Sequence, residues 1–62
     1  MENRDWIFAY TAEVNGRYIG IRIIEVYNMR RNEAIKHCTL KVWDIYGITA
    51  NIIDWSLVSL DR

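Results

Sequence analysis

The only histidine and the only cysteine of the chain are neighbours, at His37 and Cys38. An imidazole and a thiolate are zinc ligands, and they also form the base and nucleophile of thiol enzymes. A zinc site takes about four ligands, so this pair would have to recruit carboxylates for the rest. We therefore predict no metal site, no cofactor and no catalytic centre here.

The segment that carries the pair, AIKHCTLKVWDIYG at residues 34–47, is predicted to be a helix. Asn32 is a suitable N-cap, Glu33 suits the positive end of the helix dipole, and Gly47 suits the position just past the helix. Adjacent helical side chains point about 100° apart, so Cys38 enters an apolar stripe while His37 faces solvent. The expected stripe is Ala34, Ile35, Cys38, Val42, Ile45 and Tyr46.

A β-strand is the alternative for this segment, because Thr39, Val42, Trp43 and Ile45 favour extended structure. The alternation that a strand requires breaks at Asp44, however. We therefore favour the helix.

The other candidate nucleophiles lack the surroundings that catalysis requires. Ser56 and Ser59 are not flanked by the glycines of a nucleophile elbow. The three glycines lie too far apart to form a phosphate-binding loop. We expect a protein that is not an enzyme.

Length and composition predict a small packed domain over residues 1–62. The chain is 52% hydrophobic and contains no proline, which is typical of a folded globule. A domain of this size gains little burial from its own core, so we expect self-association, as a homodimer.

Cysteine usage and the short apolar runs indicate a cytoplasmic protein. Small secreted domains usually carry several disulfides, and a single cysteine forms none within the chain. The N-terminus, MENRDWIF, lacks the basic region and long apolar run of a signal peptide. Apolar runs of a few residues fall far short of the about 20 that cross a bilayer, so no membrane association is expected.

Asn15-Gly16 predicts a β-hairpin, because both residues accept the positive φ angles of a type I′ turn. Counting outward from this turn pairs Phe8 with Ile23. Gly20, inside the second strand, marks either a bulge or a close approach of another group. The face that the helix must cover would then contain Trp6, Phe8, Tyr10, Ala12, Val14, Ile19, Ile21 and Ile23.

Residues 48–60, ITANIIDWSLVSL, predict a third strand through alternation and β-branched content. The element order is then β-β-α-β. A right-handed crossover places the third strand beside the first and antiparallel to it. We predict an α+β fold with a three-stranded antiparallel sheet in order 2-1-3, covered on one face by one helix.

Two apolar groups remain once this core is assigned. Leu40 and Trp43 lie off the helical stripe and next to each other at i,i+3. The uncovered face of the sheet is expected to present Ile7, Ile24, Ile52 and Val58. We predict a protein interface at either group, and hence an adaptor, inhibitor or regulator that binds a partner protein or a second copy.

Nucleic-acid binding is the alternative, because residues 17–41 carry six basic residues against two acidic ones. Tyr18 and Arg22 would share the open sheet face and stack on bases. Arg30, Arg31 and Lys36 would gather at the helix N-terminus, which favours phosphate. The zero net charge of the chain argues against unspecific affinity.

Overall fold

The computed structural model describes residues 2–60, which form three strands and one helix. The strands make an antiparallel sheet in the order β2-β1-β3, with β1 in the centre. This arrangement confirms the predicted α+β fold and its β-β-α-β order. The elements are β1 (Arg4–Val14), β2 (Arg17–Met29), α1 (Arg31–Tyr46) and β3 (Asn51–Leu60).

The predicted hairpin turn is present between β1 and β2. Asn15 and Gly16 have φ angles of 51° and 78°, and Val14 pairs with Arg17 across them. Positive φ at both central positions gives the turn the twist of the strands that it joins. The turn therefore forms where the dipeptide predicted it.

A bulge in β2 changes the predicted register of the hairpin. The pairing shifts by one residue between Glu13 and Thr11, so that Ile19 and Gly20 together lie opposite Ala12. Gly20 has a φ angle of 79°, a conformation that suits glycine. Because side chains alternate along a strand, the shift moves the residues of β2 from Ile21 to Val26 to the opposite face, up to a second register shift between Val26 and Met29.

The prediction that Ile21 and Ile23 face the core is therefore wrong. Ile23 pairs with Ala9 and Ile21 with Thr11, on the side of the sheet that points away from the helix, and both are exposed. The core-facing residues of this part of β2 are instead Ile24 and Val26.

β3 carries a second bulge at the same level of the central strand. Asp54 pairs with Thr11 and Ile52 with Ala12, which leaves Ile53 as the extra residue. Ile52 consequently turns toward the core. Both neighbours of β1 thus shift register beside Ala12, which is fully buried.

The core is small and built around Phe8. Its ring stacks on Tyr10 and on Trp55, with centroid separations of 5.5 and 5.6 Å. Burial, together with a hydrogen bond to Tyr46, raises the pKa of Tyr10 to about 12. The buried apolar residues are Phe8, Tyr10, Ala12, Val26, Ala34, Cys38, Val42 and Ala50.

The helix begins slightly earlier than predicted. Its N-cap is Arg30, not Asn32, and the Glu33 carboxylate accepts the Arg30 backbone N–H at 3.2 Å. Glu33 thereby satisfies a backbone donor at the helix start, which takes the place of an asparagine cap. Gly47 follows the helix as predicted, with a φ of 99° and its N–H donated to the Trp43 carbonyl at 2.8 Å.

The buried line of α1 follows steps of four residues, through Ala34, Cys38 and Val42. Each such step rotates the line by about 40°, so it reaches Tyr46 in the last turn. Ile45, one residue before Tyr46, is exposed, so the prediction that it faces the core is wrong. Within residues 2–60, no helix combines the length and apolarity that crossing a bilayer requires.

Replacing Gly20 by alanine is expected to lower the free energy of unfolding by about 1 to 2 kcal/mol, because a β-carbon is strained at positive φ. No atom lies within 4 Å of the position that the new β-carbon would occupy, so the backbone angle alone sets the loss. Urea denaturation measures it. Gly20→Asn is the matched control and should lose less, since asparagine tolerates this region. Equal stability of Gly20→Ala and the wild type would contradict the bulge.

Candidate interaction surfaces

His37 and Cys38 lie in different environments, as their helical positions predict. Cys38 is completely buried in the core, and His37 is exposed. Burial raises the pKa of the Cys38 thiol, which is the opposite of the change that activates a nucleophile. Among residues 2–60, no group of three or more His, Cys, Asp or Glu side chains is placed to hold a metal ion.

Leu40 and Trp43 are both exposed on α1, but only Leu40 lacks an evident role in the fold. The Trp43 indole Nε1–H donates to the Ala50 carbonyl oxygen at 3.2 Å, which anchors the ring over the connection into β3. Leu40 is 51% exposed beside Lys36 and His37. Trp43 is thus partly explained by local packing, whereas Leu40 remains available for contact.

The uncovered side of the sheet, which we call the outer face, consists of alternate residues that point away from α1. Of the four residues predicted there, Ile7 and Val58 are present and pair with each other across β1 and β3. Ile24 and Ile52 are not, because the two bulges turn them inward onto the core. The centre of the outer face is formed by Ile7, Ala9, Thr11, Ile21, Ile23, Ser56 and Val58.

Ile21 and Ile23 are the outer-face residues that sequence reasoning missed. Their signal was Gly20, since a glycine inside a strand indicates a bulge and a bulge reverses every later side chain. Sequence alone left open whether Gly20 served a bulge or a close approach. The positive φ and the empty space around it favour the bulge.

The outer face has a shallow trough along its middle. Ala9 and Thr11 are the small side chains of the central strand, and Ile21 borders them on one side while Asp54 and Ser56 border them on the other. Small residues flanked by larger ones leave a depression that a row of side chains from another molecule can enter.

Charge is divided between the two sides of the sheet. The carboxylates at outer-face positions are Asp5, Glu13, Glu25 and Asp54. Within residues 2–60, no lysine or arginine occupies an outer-face position. The basic residues of the strands are Arg4, Arg17 and Arg22. They lie on the helix side of the sheet, where they pair with Met29, Val14 and Tyr10, respectively.

The helix adds to this division. Arg31, Lys36 and Lys41 lie on α1 and are exposed, and Arg30 caps it, while the exposed carboxylates of α1 are Glu33 and Asp44. The outer face is therefore acidic and the helix side is basic, although the chain as a whole is neutral.

The pairing of Tyr18 with Arg22 on one face, predicted for nucleic-acid binding, is wrong. Tyr18 lies opposite Glu13 on the outer face, whereas Arg22 lies opposite Tyr10 on the helix side. The bulge between them causes the separation. Arg30 and Arg31 do lie together at the start of α1, with Lys36 about one turn further along and all three exposed.

The chain matches no protein family model, no curated protein and no solved structure.

Cys38 in the folded protein is expected to react with an aromatic disulfide reagent at least roughly tenfold more slowly than in the urea-unfolded chain, because the thiol is buried and its thiolate disfavoured. Absorbance of the released thiolate gives both rates. His37→Ala is the informative control. If His37 activated Cys38, its removal would slow the reaction of the thiol, and we expect the rate to stay unchanged. Rapid modification of the folded protein would contradict the structural role of Cys38.

Proposed function

We propose that this chain is a small non-enzymatic binding protein that acts as an adaptor, inhibitor or regulator through its outer face. The observation that carries the proposal is the exposure of three large aliphatic side chains on one surface. Ile21, Ile23 and Val58 are 72%, 63% and 57% exposed. Soluble monomers rarely present contiguous apolar patches unless the patch has a partner.

The position of two isoleucines supports the same proposal. Ile19, Ile24 and Ile52 pack against the core, whereas Ile21 and Ile23 lie exposed on the outer face. Large aliphatic residues are usually buried. The outward position of Ile21 and Ile23 is explained if the outer face is covered in a complex.

The free energy of burying this apolar patch is too small to hold a complex together without other contacts. Full burial of an isoleucine stabilises by about 1.5 to 3 kcal/mol, so covering the three exposed fractions would contribute about 4 kcal/mol. Association costs at least about 4 kcal/mol in lost freedom. Net affinity must therefore come from the surroundings of the patch, including its carboxylates.

We further propose that the protein self-associates and acts in the cytoplasm. Its radius of gyration of 11.9 Å exceeds the about 10.6 Å typical of a compact chain of this length, and an elongated monomer buries less of itself. Self-association would supply the missing burial. A cytoplasmic location agrees with a single cysteine that forms no disulfide within the chain.

The double variant Ile21→Thr/Ile23→Thr is expected to bind its partner at least roughly tenfold more weakly than the wild type. It removes most of the apolar contact while keeping β-branched residues in the strand. Tagged protein incubated with extract of the native host, followed by quantitative mass spectrometry, measures the enrichment of bound proteins. Ile48→Thr is the matched control, because Ile48 is 83% exposed but lies in the turn before β3. Equal enrichment of host proteins by the wild type, the double variant and Ile48→Thr would refute the proposed function.

A second candidate function is nucleic-acid binding by the helix side, and the observation that favours it is the separation of charge. With the carboxylates of the sheet on the outer face, Arg30, Arg31 and Lys36 present positive charge together near the start of α1. A basic surface of this kind can contact phosphates even on a neutral chain.

If the helix side binds nucleic acid, the affinity for labelled DNA or RNA oligomers should fall steeply as salt rises, because phosphate contacts release counterions. Fluorescence anisotropy at a low and a high salt concentration measures this, and Arg30→Ala/Arg31→Ala should reduce the salt slope by about 2. Arg17→Ala, at the hairpin end of β2, serves as the control. Absence of binding at low salt would remove this candidate.

A further inference from the structure

We propose that β3 of one copy pairs edge to edge with β3 of a second copy, in antiparallel orientation, so that two chains share one continuous sheet in the order 2-1-3-3-1-2. The inference rests on the self-association proposed above, and it assigns that association to the backbone edge of β3 instead of the outer face. The observations that lead to it are the unprotected edge of β3, the uncovered side chains on its helix side and the charge along it.

The two edges of the sheet differ in how well they are protected. β1 lies in the centre, so β2 and β3 each have one edge without a partner strand within residues 2–60. Such an edge presents unpaired N–H and C=O groups, which proteins usually protect with bulges or charges. β2 is protected in both ways, because its register shifts at Gly20 and before Met29, and because it carries Arg17, Arg22 and Glu25.

β3 lacks this protection over residues 54–60. These seven residues pair with residues 5–11 of the central strand without a register shift. Their sequence, DWSLVSL, contains no proline and no lysine, and its only charged residue is Asp54 at one end. A regular and nearly uncharged edge is a template on which a further strand can pair.

The helix side of β3 is also incompletely covered. α1 packs mainly on β1 and β2, and Trp55 is 44% exposed although its ring stacks on Phe8. Leu57, two residues further along the same side, is partly buried against the core. A strand added beside β3 brings its own side chains to this side, where they contact Trp55 and Leu57 across the new pair.

A second β3 fits this edge because the stretch is self-complementary. A twofold axis perpendicular to the sheet through Leu57, the middle residue of 54–60, places Leu57 opposite Leu57 and Trp55 opposite Ser59. Each residue then meets one that points to the same side of the sheet. Trp55 lies diagonal to Leu57 of the other copy, about 7 to 8 Å away, which is within the reach of an aromatic ring.

The charges of the two copies do not oppose this pairing. In the register centred on Leu57, the two Asp54 residues are six residues apart along the paired strands, about 20 Å at 3.4 Å per residue. This separation exceeds the screening length of about 8 Å at physiological salt. Repulsion between the two carboxylates is therefore weak.

The two helices also fit side by side. Each α1 lies over β1 and β2 of its own copy, so about four strand spacings of about 4.8 Å separate the two helix axes. The resulting distance of about 19 Å exceeds the helix width of about 10 Å. The helices thus leave a gap between them, and the side chains of Trp55 and Leu57 from both copies lie in that gap.

Pairing two identical edges ends the assembly at a dimer, because a twofold contact uses the same surface on both copies. The edges that remain are those of β2, which bulges and charges protect. The contact itself is short. Seven residues span about 24 Å, and a depth of no more than 18 Å limits the contact to roughly 430 Å² per copy, against about 800 Å² for a standard interface. The dimer should accordingly dissociate on dilution.

The test places charges across the proposed pair. Ser56 and Val58 are exposed, and each lies opposite the other across the axis. Ser56→Lys/Val58→Lys sets like charges against each other when the variant pairs with itself, and Ser56→Glu/Val58→Glu does the same with the opposite sign. In a mixture of the two variants, opposite charges meet instead. Ile21→Thr/Ile23→Thr is the control, because it changes the outer face and the β2 edge and leaves β3 intact.

Analytical ultracentrifugation should give a wild-type mass that rises with protein concentration from monomer to dimer and no further. Each charge variant alone should stay a monomer where the wild type is dimeric, and their equimolar mixture should form a complex of two chains. The control should dimerise like the wild type. Recovery of the complex in the mixture also shows that both charge variants fold.

A disulfide trap with oxidised glutathione tests the register. A mixture of Ser56→Cys and Val58→Cys should cross-link faster than either variant alone, because opposite residues of an antiparallel pair have Cα atoms about 4.5 to 5.5 Å apart, which suits a disulfide. Two outer faces packed on each other would hold the strands about 10 Å apart, too far for this bond. Equal rates in the three samples would contradict the pairing. Cys38 is buried and competes little.

A wild type that stays monomeric up to about 1 mM, where even a millimolar dissociation constant gives substantial complex, would overturn the inference. Loss of the dimer in Ile21→Thr/Ile23→Thr would also overturn it, since the copies would then meet through the outer face. If a monomeric wild type captures a host protein that both charge variants lose and the control retains, the edge belongs to a foreign strand and the inference is wrong. A monomeric wild type whose capture of a host protein depends on Ile21 and Ile23 would overturn the inference and leave the proposed function in place.

Discussion

The structure depends on one geometric constraint, which is that a single helix covers only part of one face of a three-stranded sheet. A helix is about 10 Å wide and strands lie about 4.8 Å apart, so one helix spans about two strands. α1 packs mainly on β1 and β2. Trp55 on β3 therefore stays partly exposed although its ring stacks on Phe8. The opposite face of the sheet has no cover within residues 2–60, and its isoleucines remain at the surface.

Two bulges beside Ala12 determine which apolar residues of β2 and β3 point toward the helix and pack in the core. The bulge at Gly20 turns Ile24 and Val26 toward the helix and Ile21 and Ile23 away from it. The bulge in β3 turns Ile52 inward in the same way. The sheet thus fills a shallow core beneath a helix whose buried side chains are small, and it leaves two isoleucines exposed on the outer face.

Charge follows the same alternation as hydrophobicity. The carboxylates of the strands share the outer face with Ile7 and Val58, and the arginines of the strands point toward the helix side. A neutral chain thereby carries the carboxylates of its strands on one side of the sheet and the arginines of its strands on the other. Neither His37 nor Cys38 contributes chemistry to this arrangement, since one lies in solvent and the other fills the core.

The amino-acid sequence by itself determined the hairpin at Asn15-Gly16, the helix and the third strand, because these depend on local turn preferences and periodicity. The order of the sheet followed from the handedness of the crossover. The separation of His37 from Cys38 also followed from helical geometry. Only the tertiary structure decided which face Ile21 to Val26 of β2 occupy and that Ile45 lies outside the core. A strand repeats every two residues, so a one-residue bulge reverses an entire face, and whether Gly20 forms that bulge depends on how the strands and helix pack together.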